Sequence, residues 1–327
     1  MSLLLVVASV ACGPDEATDE EATAAQSAAP SEGAPEGVAP PLPTGGLPSV
    51  VMPPPPPPPP PPKPRCPEDM VLVWDTQSTD LHYCVDRYEA MVVDDTTRQN
   101  LSPYYPPDPA KAAFIEKIWN DLRGSGTELE QATPLPPLPA WQKQKSLKPR
   151  AVSKKGVVPQ AYASGKDAAL VCGNAGKRLC SLHEWRTACR GADNRDFPYG
   201  TAYQNAVCNV VRETHPGILL WDNPSINHTD PRFNLLTSKT GPLLRRTGAT
   251  VKCASVWGDD AIFDMVGNVD EWIDDPEGTF VGAFYARGRK DGCQAKVENH
   301  PFAYADYSTG IRCCKDATLA SAAPITP

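Results

Sequence analysis

Histidine and aromatic residues are scarce: 5 His, and 7% Phe, Trp and Tyr, in 327 residues. The five histidines are scattered, so a His-rich facial site for a mononuclear metal has no residues to build it. Basic residues are outnumbered, 31 Lys and Arg against 39 Asp and Glu, for a net charge of −8. Neutralising phosphates needs clustered Lys and Arg, which argues against a nucleic-acid partner. The one basic run, Lys143 to Lys155, lies in a Pro-rich segment and reads as a solvated loop. No Cys-x-x-Cys occurs, so the spacing of a zinc site is missing. A Ser-His-Asp reading lacks a nucleophile elbow. Beyond the first residues, no apolar stretch is long enough to span a bilayer.

What is present is unevenly distributed. Residues 13–65 are dominated by Ala, Pro, Glu, Gly and Ser, with almost no aromatics. Such a stretch buries too little apolar surface to offset chain entropy and is expected to be disordered. It ends in ten consecutive prolines, Pro53 to Pro62, which favour a polyproline II rod of roughly 31 Å at about 3.1 Å per residue. The part from Cys66 to Asp316 reads as one domain of residues 66–316, followed by a disordered tail, 317–327.

Cysteine usage points outside the cytoplasm. Setting Cys12 aside leaves ten of 11 cysteines, an even number of the kind that secreted domains oxidise in pairs. The apolar run Leu3 to Val7, small residues and then Ser9-Val10-Ala11-Cys12 read as a signal peptide over residues 1–12 with a lipobox. A lipidated Cys12 would hold the chain to a membrane, with 13–65 as tether. The ordinary cleaved secretory peptide is the alternative, because no basic residue precedes the run and Ser9 stands where a lipobox usually has Leu. Either way the chain is expected in the cell envelope, anchored, or else secreted or periplasmic.

Within the domain, Met70–Trp74 and Tyr83–Tyr88 read as a hairpin with Asp75–Asp80 as its turn, and a Cys66–Cys84 bridge across it is plausible. A helix follows, with Asp108 as cap, Pro109 in the first turn, a stripe of Phe114, Ile115, Ile118, Trp119 and Leu122, and Gly124 as stop. Residues 125–158 read as a surface insertion. Lys166–Ala175 reads as a second helix stopped by Gly176. Ser181 and Glu184 form a capping-box pattern for a third, which buries Leu182, Trp185 and Cys189. Residues 209–260 show little periodicity.

Two blocks, Gly176-Lys-Arg-Leu-Cys-Ser-Leu-His-Glu-Trp185 and Phe263-Asp-Met-Val-Gly-Asn-Val-Asp-Glu-Trp272, end alike in Glu-Trp. With the opening Cys84-Val-Asp-Arg-Tyr-Glu89, the Phe197-Pro-Tyr-Gly200 turn and the closing Gly310-Ile-Arg-Cys-Cys314, they resemble the formylglycine-generating enzyme family, or sulfatase-modifying-factor domains, in the family's order. The resemblance implies an α+β fold: a loop-rich variant of the C-type-lectin-like fold with short strands, a few helices and stabilising disulfides. Cys180 replaces a family Pro, which suggests a local Cys172–Cys180 bridge, and by analogy Cys189 should pair with Cys313. The partners of Cys208, Cys253, Cys293 and Cys314 stay open.

In that family, copper on two cysteines oxidises a substrate cysteine, and Cu(I) is soft and prefers two thiolates. Here Ala286 and Asp291 stand at the two copper-cysteine positions, and Ala283 at the active-site Ser. No copper is expected. The resemblance also implies a structural calcium on Gly267, Asn268, Val269 and Glu271, with Asp270 in place of the family's Trp; alternatively Asn268 and Glu271 satisfy buried backbone groups in a tight turn. A second calcium site would start near Cys208-Asn209-Val210, with an acid near Asp222 or Asp230. His300, Tyr304, Asp306 and Tyr307 form a polar cluster in the family's groove. The expected function is a non-catalytic binding or structural module with a peptide, glycan or protein ligand; the alternative is a formylglycine-generating oxidase or another oxidase on the same scaffold.

Overall fold

The computed structural model describes residues 64–74 and 82–319. The signal segment, Cys12, the polyproline run, the Asp75–Asp80 turn and the end of the tail lie outside the described residues. Two four-stranded sheets organise the domain. In the first, Met70–Trp74 pairs with His82–Asp86, which pairs with Cys313–Asp316, which pairs with Arg178–Leu179, all antiparallel. In the second the order is Lys296–Val297, Phe280–Val281, Asp270–Trp272, Thr309–Gly310, and only the last pair is parallel.

Among the described residues, five α-helices accompany these sheets. α1 (Pro109–Asp121) starts where the Asp108 carboxylate accepts the Lys111 amide, with Pro in the first turn. Its apolar stripe is narrower than expected: Trp119 is buried, but Phe114 is 61% and Leu122 43% exposed. α2 (Glu128–Ala132) is a single turn. α3 (Gly165–Asn174) and α4 (Leu182–Arg190) each open on a capping box, Ser164 with Asp167 and Ser181 with Glu184. Gly191, at φ 69°, ends α4. α5 (Pro216–Trp221) lies in the stretch that shows no periodicity.

Segment 125–158, expected as a surface insertion, contributes a strand and buried side chains as well as exposed ones. Its Pro149–Ser153 strand pairs along its whole length with Ala90–Asp94, and Glu130 and Gln142 are fully buried. The Ala90–Asp94 strand is buried throughout and takes its ladder partner from this segment. Tether and tail also contribute structure at their inner ends, where Pro64–Arg65 pairs with Thr318–Leu319.

All ten described cysteines are bridged: Cys66–Cys84, Cys172–Cys313, Cys180–Cys314, Cys189–Cys293 and Cys208–Cys253. The expected Cys66–Cys84 bridge is present, and the expected Cys172–Cys180 and Cys189–Cys313 pairs are replaced. The reason is strand geometry. Successive side chains on a strand face opposite sides, so Cys313 enters the core with Cys172, Leu179 and Trp272, while Cys314 enters the one with Cys180, Cys189 and Trp185. Cys180 and Cys172 lie on opposite faces of one sheet and each meets its own half of the Cys313-Cys314 pair. Cys189, on the Cys314 face, closes on Cys293 instead.

Candidate functional site

Asp270, Glu271 and Trp272 are consecutive on one strand, all buried. Alternation sends the two carboxyls to different places. Glu271 accepts the Trp185 indole N–H at 2.6 Å and the Arg312 guanidinium at 2.7 Å. Arg312 spends its other donors on the carbonyls of Asp86 and Phe263, at 2.8 and 2.9 Å. Beside them, Glu89 accepts Asn268 Nδ2 (2.6 Å) and the Val269 amide (3.2 Å), and Asp264 accepts the Gly248 amide (2.6 Å). Burial, then the neighbouring acids, hold the Glu89 carboxyl well above its ordinary range, and burial pushes Asp264 up to about 6.

The Gly267–Glu271 turn is built into this network. A side chain at Gly267 (φ 86°) would strike the Asn209 carbonyl. Asn268 Oδ1 accepts Asn209 Nδ2 at 3.0 Å and the Arg245 amide at 2.9 Å. Because Asn268 and Glu271 have committed their side-chain oxygens to protein donors, Gly267, Asn268, Val269 and Glu271 do not fit a calcium ion, which wants six to eight free oxygens. At the second position, Asn209 Oδ1 accepts Arg212 Nη1 at 3.0 Å. The same guanidinium takes the carbonyls of Gly241 and Pro242 and the hydroxyls of Ser238 and Thr240, between 2.6 and 3.1 Å. A cation from the chain itself gathers these oxygens. Asp230 is turned away into a buried pair with Arg232 (2.9 Å), and Asp222 ends α5.

The Asp270 side differs in kind. Its carboxylate accepts Arg287 Nη2 at 2.5 Å, and the Ala283 amide also donates to it. Ala283 holds φ 66°, next to Gly282 at φ 91°, a strained pair that turns this amide inward. Burial outweighs Arg287 and pushes the Asp270 carboxyl up to about 7. Asp306 stands nearby and accepts Tyr304 Oη at 2.6 Å and the Ser308 amide and hydroxyl at 2.8 and 2.7 Å. Tyr304 stacks on His300, ring centroids 3.9 Å apart. Tyr307 Oη meets His215 Nε2 at 2.9 Å. His215 Nδ1 accepts the Gly217 amide at 3.1 Å, so the ring proton of neutral His215 sits on Nε2 and points at Tyr307. Burial, then His228, lowers the His215 pKa and keeps the ring neutral. Tyr307 therefore accepts from His215 and keeps its own O–H to donate. Phe284 supplies an apolar wall between Arg287 (5.0 Å) and Tyr307 (5.4 Å).

The structure thus brings His300, Tyr304, Asp306 and Tyr307 together as expected, and adds Asp270, Arg287, Phe284 and His215. Arg287 had a legible signal, its place next to Ala286, which the resemblance puts at a copper-cysteine position. His215 had only the His-Pro step that starts α5.

Ala286 is partly buried against the Phe284 cluster, and Asp291 is exposed and paired with Arg289 at 2.9 Å. Cys293 is bridged to Cys189. With an alanine, an exposed carboxylate and no reduced thiol among the described residues, this site does not fit Cu(I). No group of three or more His, Cys, Asp or Glu that could hold a metal occurs among the described residues.

Residues 92–315 match the sulfatase-modifying factor enzyme 1-like domain, and the chain belongs to that family. The match begins inside the Ala90–Asp94 strand, so the Met70–Trp74 and His82–Asp86 strands extend the fold beyond it. Solved structures with a similar course include the Major Tropism Determinant I1 variant, at 12% identity and TM-score 0.39 over 79% of this chain and 55% of that one. The chain thus spans about half that protein's length. PvdO from Pseudomonas aeruginosa gives 13% identity and TM-score 0.34 over 72% of this chain and 80% of its own, and CarF 11% and 0.36 over 76% and 96%. No curated protein matches the sequence. The five disulfides suit an oxidising compartment, and among the described residues no helix is long and apolar enough to cross a membrane.

Proposed function

We propose that this sulfatase-modifying-factor domain is a non-catalytic binding module on an exported chain, tethered to a membrane through a lipidated Cys12. One observation supports the reading: Cys293, the cysteine nearest Ala286 and Asp291, which by resemblance take the family's copper-cysteine positions, is spent on Cys189. The cluster of Asp270, Arg287, Tyr307 and His215 keeps what recognition needs. It offers a hydroxyl donor, a guanidinium held at one edge, an apolar wall and a carboxyl that can carry a proton near neutral pH. Those groups suit a peptide, glycan or protein ligand with hydroxyl or carbonyl oxygens. Five disulfides keep the cluster rigid, so its donors are already oriented when a ligand arrives.

The test is to incubate the full chain with a Cys-x-Pro-x-Arg peptide, copper and oxygen, and follow the peptide by mass spectrometry. The binding-module reading expects the cysteine to remain unchanged. Appearance of the formylglycine aldehyde would establish the oxidase instead. Membrane attachment is tested separately: Cys12→Ala should move the exported chain from the membrane to the soluble fraction.

A further inference from the structure

We infer that the cleft between the loop at residues 205–214 and the segment 238–249 binds an acidic oligosaccharide, a sugar chain bearing carboxylate or sulfate groups. Two cavities of about 540 and 520 Å³ adjoin at Thr240 and Arg245, which line both. Arg212, Lys239 and Arg245 line the first, and Arg245 and Arg246 line the second. Glu213 is the acid of the lining. On a chain of net charge −8, four cations along one cleft are a local reversal of sign. A cleft lined by one sign focuses its field and concentrates the opposite ion.

These cations are not used up by the fold's own acids. Arg212 spends its N–H groups on neutral oxygens. Arg245 reaches only the Thr250 hydroxyl, at 3.4 Å, and Arg246 donates to the Gly156 carbonyl at 3.0 Å. Lys239 is exposed. Elsewhere the molecule pairs even its buried arginines, Arg232 and Arg312, with carboxylates. Burial and the approach of Arg245 both lower the Arg212 pKa, as expected where two guanidiniums approach each other; the acid Arg245 feels from behind is the buried Asp264. A guanidinium fork matches carboxylate and sulfate oxygens two at a time.

The rest of the lining favours sugar over peptide. Ser238 and Thr240 line the cleft with hydroxyls that can donate as well as accept, as sugar hydroxyls do, one lone pair of each being taken by Arg212. The half-buried Tyr104 ring ends the cleft near Arg246 and offers a flat apolar face for a pyranose. A peptide strand would need a sheet edge to extend, and the nearest one, Thr237–Ser238 with Gly241–Pro242, is two residues long on each side. The inference names the ligand class of the binding module proposed above, at a cleft other than the Asp270 cluster.

The test is calorimetric titration of the full chain with four probes: an oligouronate, a sulfated dextran oligomer, a neutral dextran oligomer and oligoglutamate. Each is measured at low salt and near 150 mM, where screening acts over about 8 Å. One or both acidic sugars should bind, and the neutral dextran should not. The tighter of the two acidic sugars identifies the charged group. Arg245→Ser with Arg246→Ser should weaken binding at least tenfold, as should Lys239→Glu, an exposed position where folding is not at stake. Arg289→Ser, at an exposed arginine outside the cleft, should change nothing. Absence of acidic-sugar binding, oligoglutamate binding as tightly, or unchanged affinity in both cleft variants would each overturn the inference. Oxidation of the cysteine peptide would sink the binding-module reading without touching this result, so the two failures are separable.

Discussion

Asp270 and Glu271 are adjacent acids on one strand, each paired to an arginine, yet they do opposite jobs. Glu271 faces inward, where Arg312 and Trp185 consume its oxygens and Arg312's remaining donors close on carbonyls. Asp270 faces the other way, onto Arg287, which is still 27% exposed, near Tyr307, whose O–H is left to donate. Only the first network is complete. One face of the strand closes a complete network and the other leaves hydrogen-bonding capacity unspent at Arg287 and Tyr307.

The largest effect should come from breaking the closed side. Arg312→Met leaves Glu271 beside Glu89 and Asp264 without their cation, and should cost about 3–5 kcal/mol in urea unfolding. A loss under about 1 kcal/mol would mean that the three acids already share protons and need no guanidinium. Next, removing Cys172–Cys313 by a double Ala substitution opens a bridge spanning 141 residues, and should cost about 2–5 kcal/mol. Arg212→Met should cost about 1–3 kcal/mol, because it strands five oxygens that a side-chain cation now gathers.

A smaller effect sharpens the contrast on the open side. The Asp270 carboxyl is raised from 3.8 in the unfolded chain to about 7 in the fold. Its stabilising contribution is complete below about pH 4 and is lost as pH rises toward 7, because the fold prefers the neutral acid. Asp270→Asn removes that slope. The melting temperature of the native chain should therefore fall relative to Asp270→Asn between pH 5 and pH 8; the opposite trend would show Arg287 dominating burial. The smallest effect is expected from a strong calcium chelator, since Asn268 and Glu271 have committed their side-chain oxygens to protein donors: a shift below about 1 °C, where a larger drop would restore a metal to the fold.

Which features were legible follows from range. Asp108 and Ser181 with Glu184 find their partners three residues away, and the paired strands of the 70–86 hairpin are consecutive in the chain, 8 to 16 residues apart, so residue chemistry and pattern alone name them. The Glu-Trp blocks and the groove cluster from Tyr304 to Tyr307 were legible through family resemblance. Disulfide partners were not, because the choice between Cys313 and Cys314 depends on which face of a sheet α3 and α4 occupy. The role of 125–158 was hidden for a similar reason: its Pro- and Lys-rich composition masks a strand whose partner lies some 60 residues away, Arg150 opposite Val93. Arg287 and His215 take their meaning from Asp270 and Tyr307, across 17 and 92 residues.

Competitive titration of Cu(I) into the full chain, with its five disulfides intact, tests the account most directly. The prediction is that a sulfur chelator keeps all the metal. A tight one-to-one copper complex would contradict it and return this chain to the oxidases of its family.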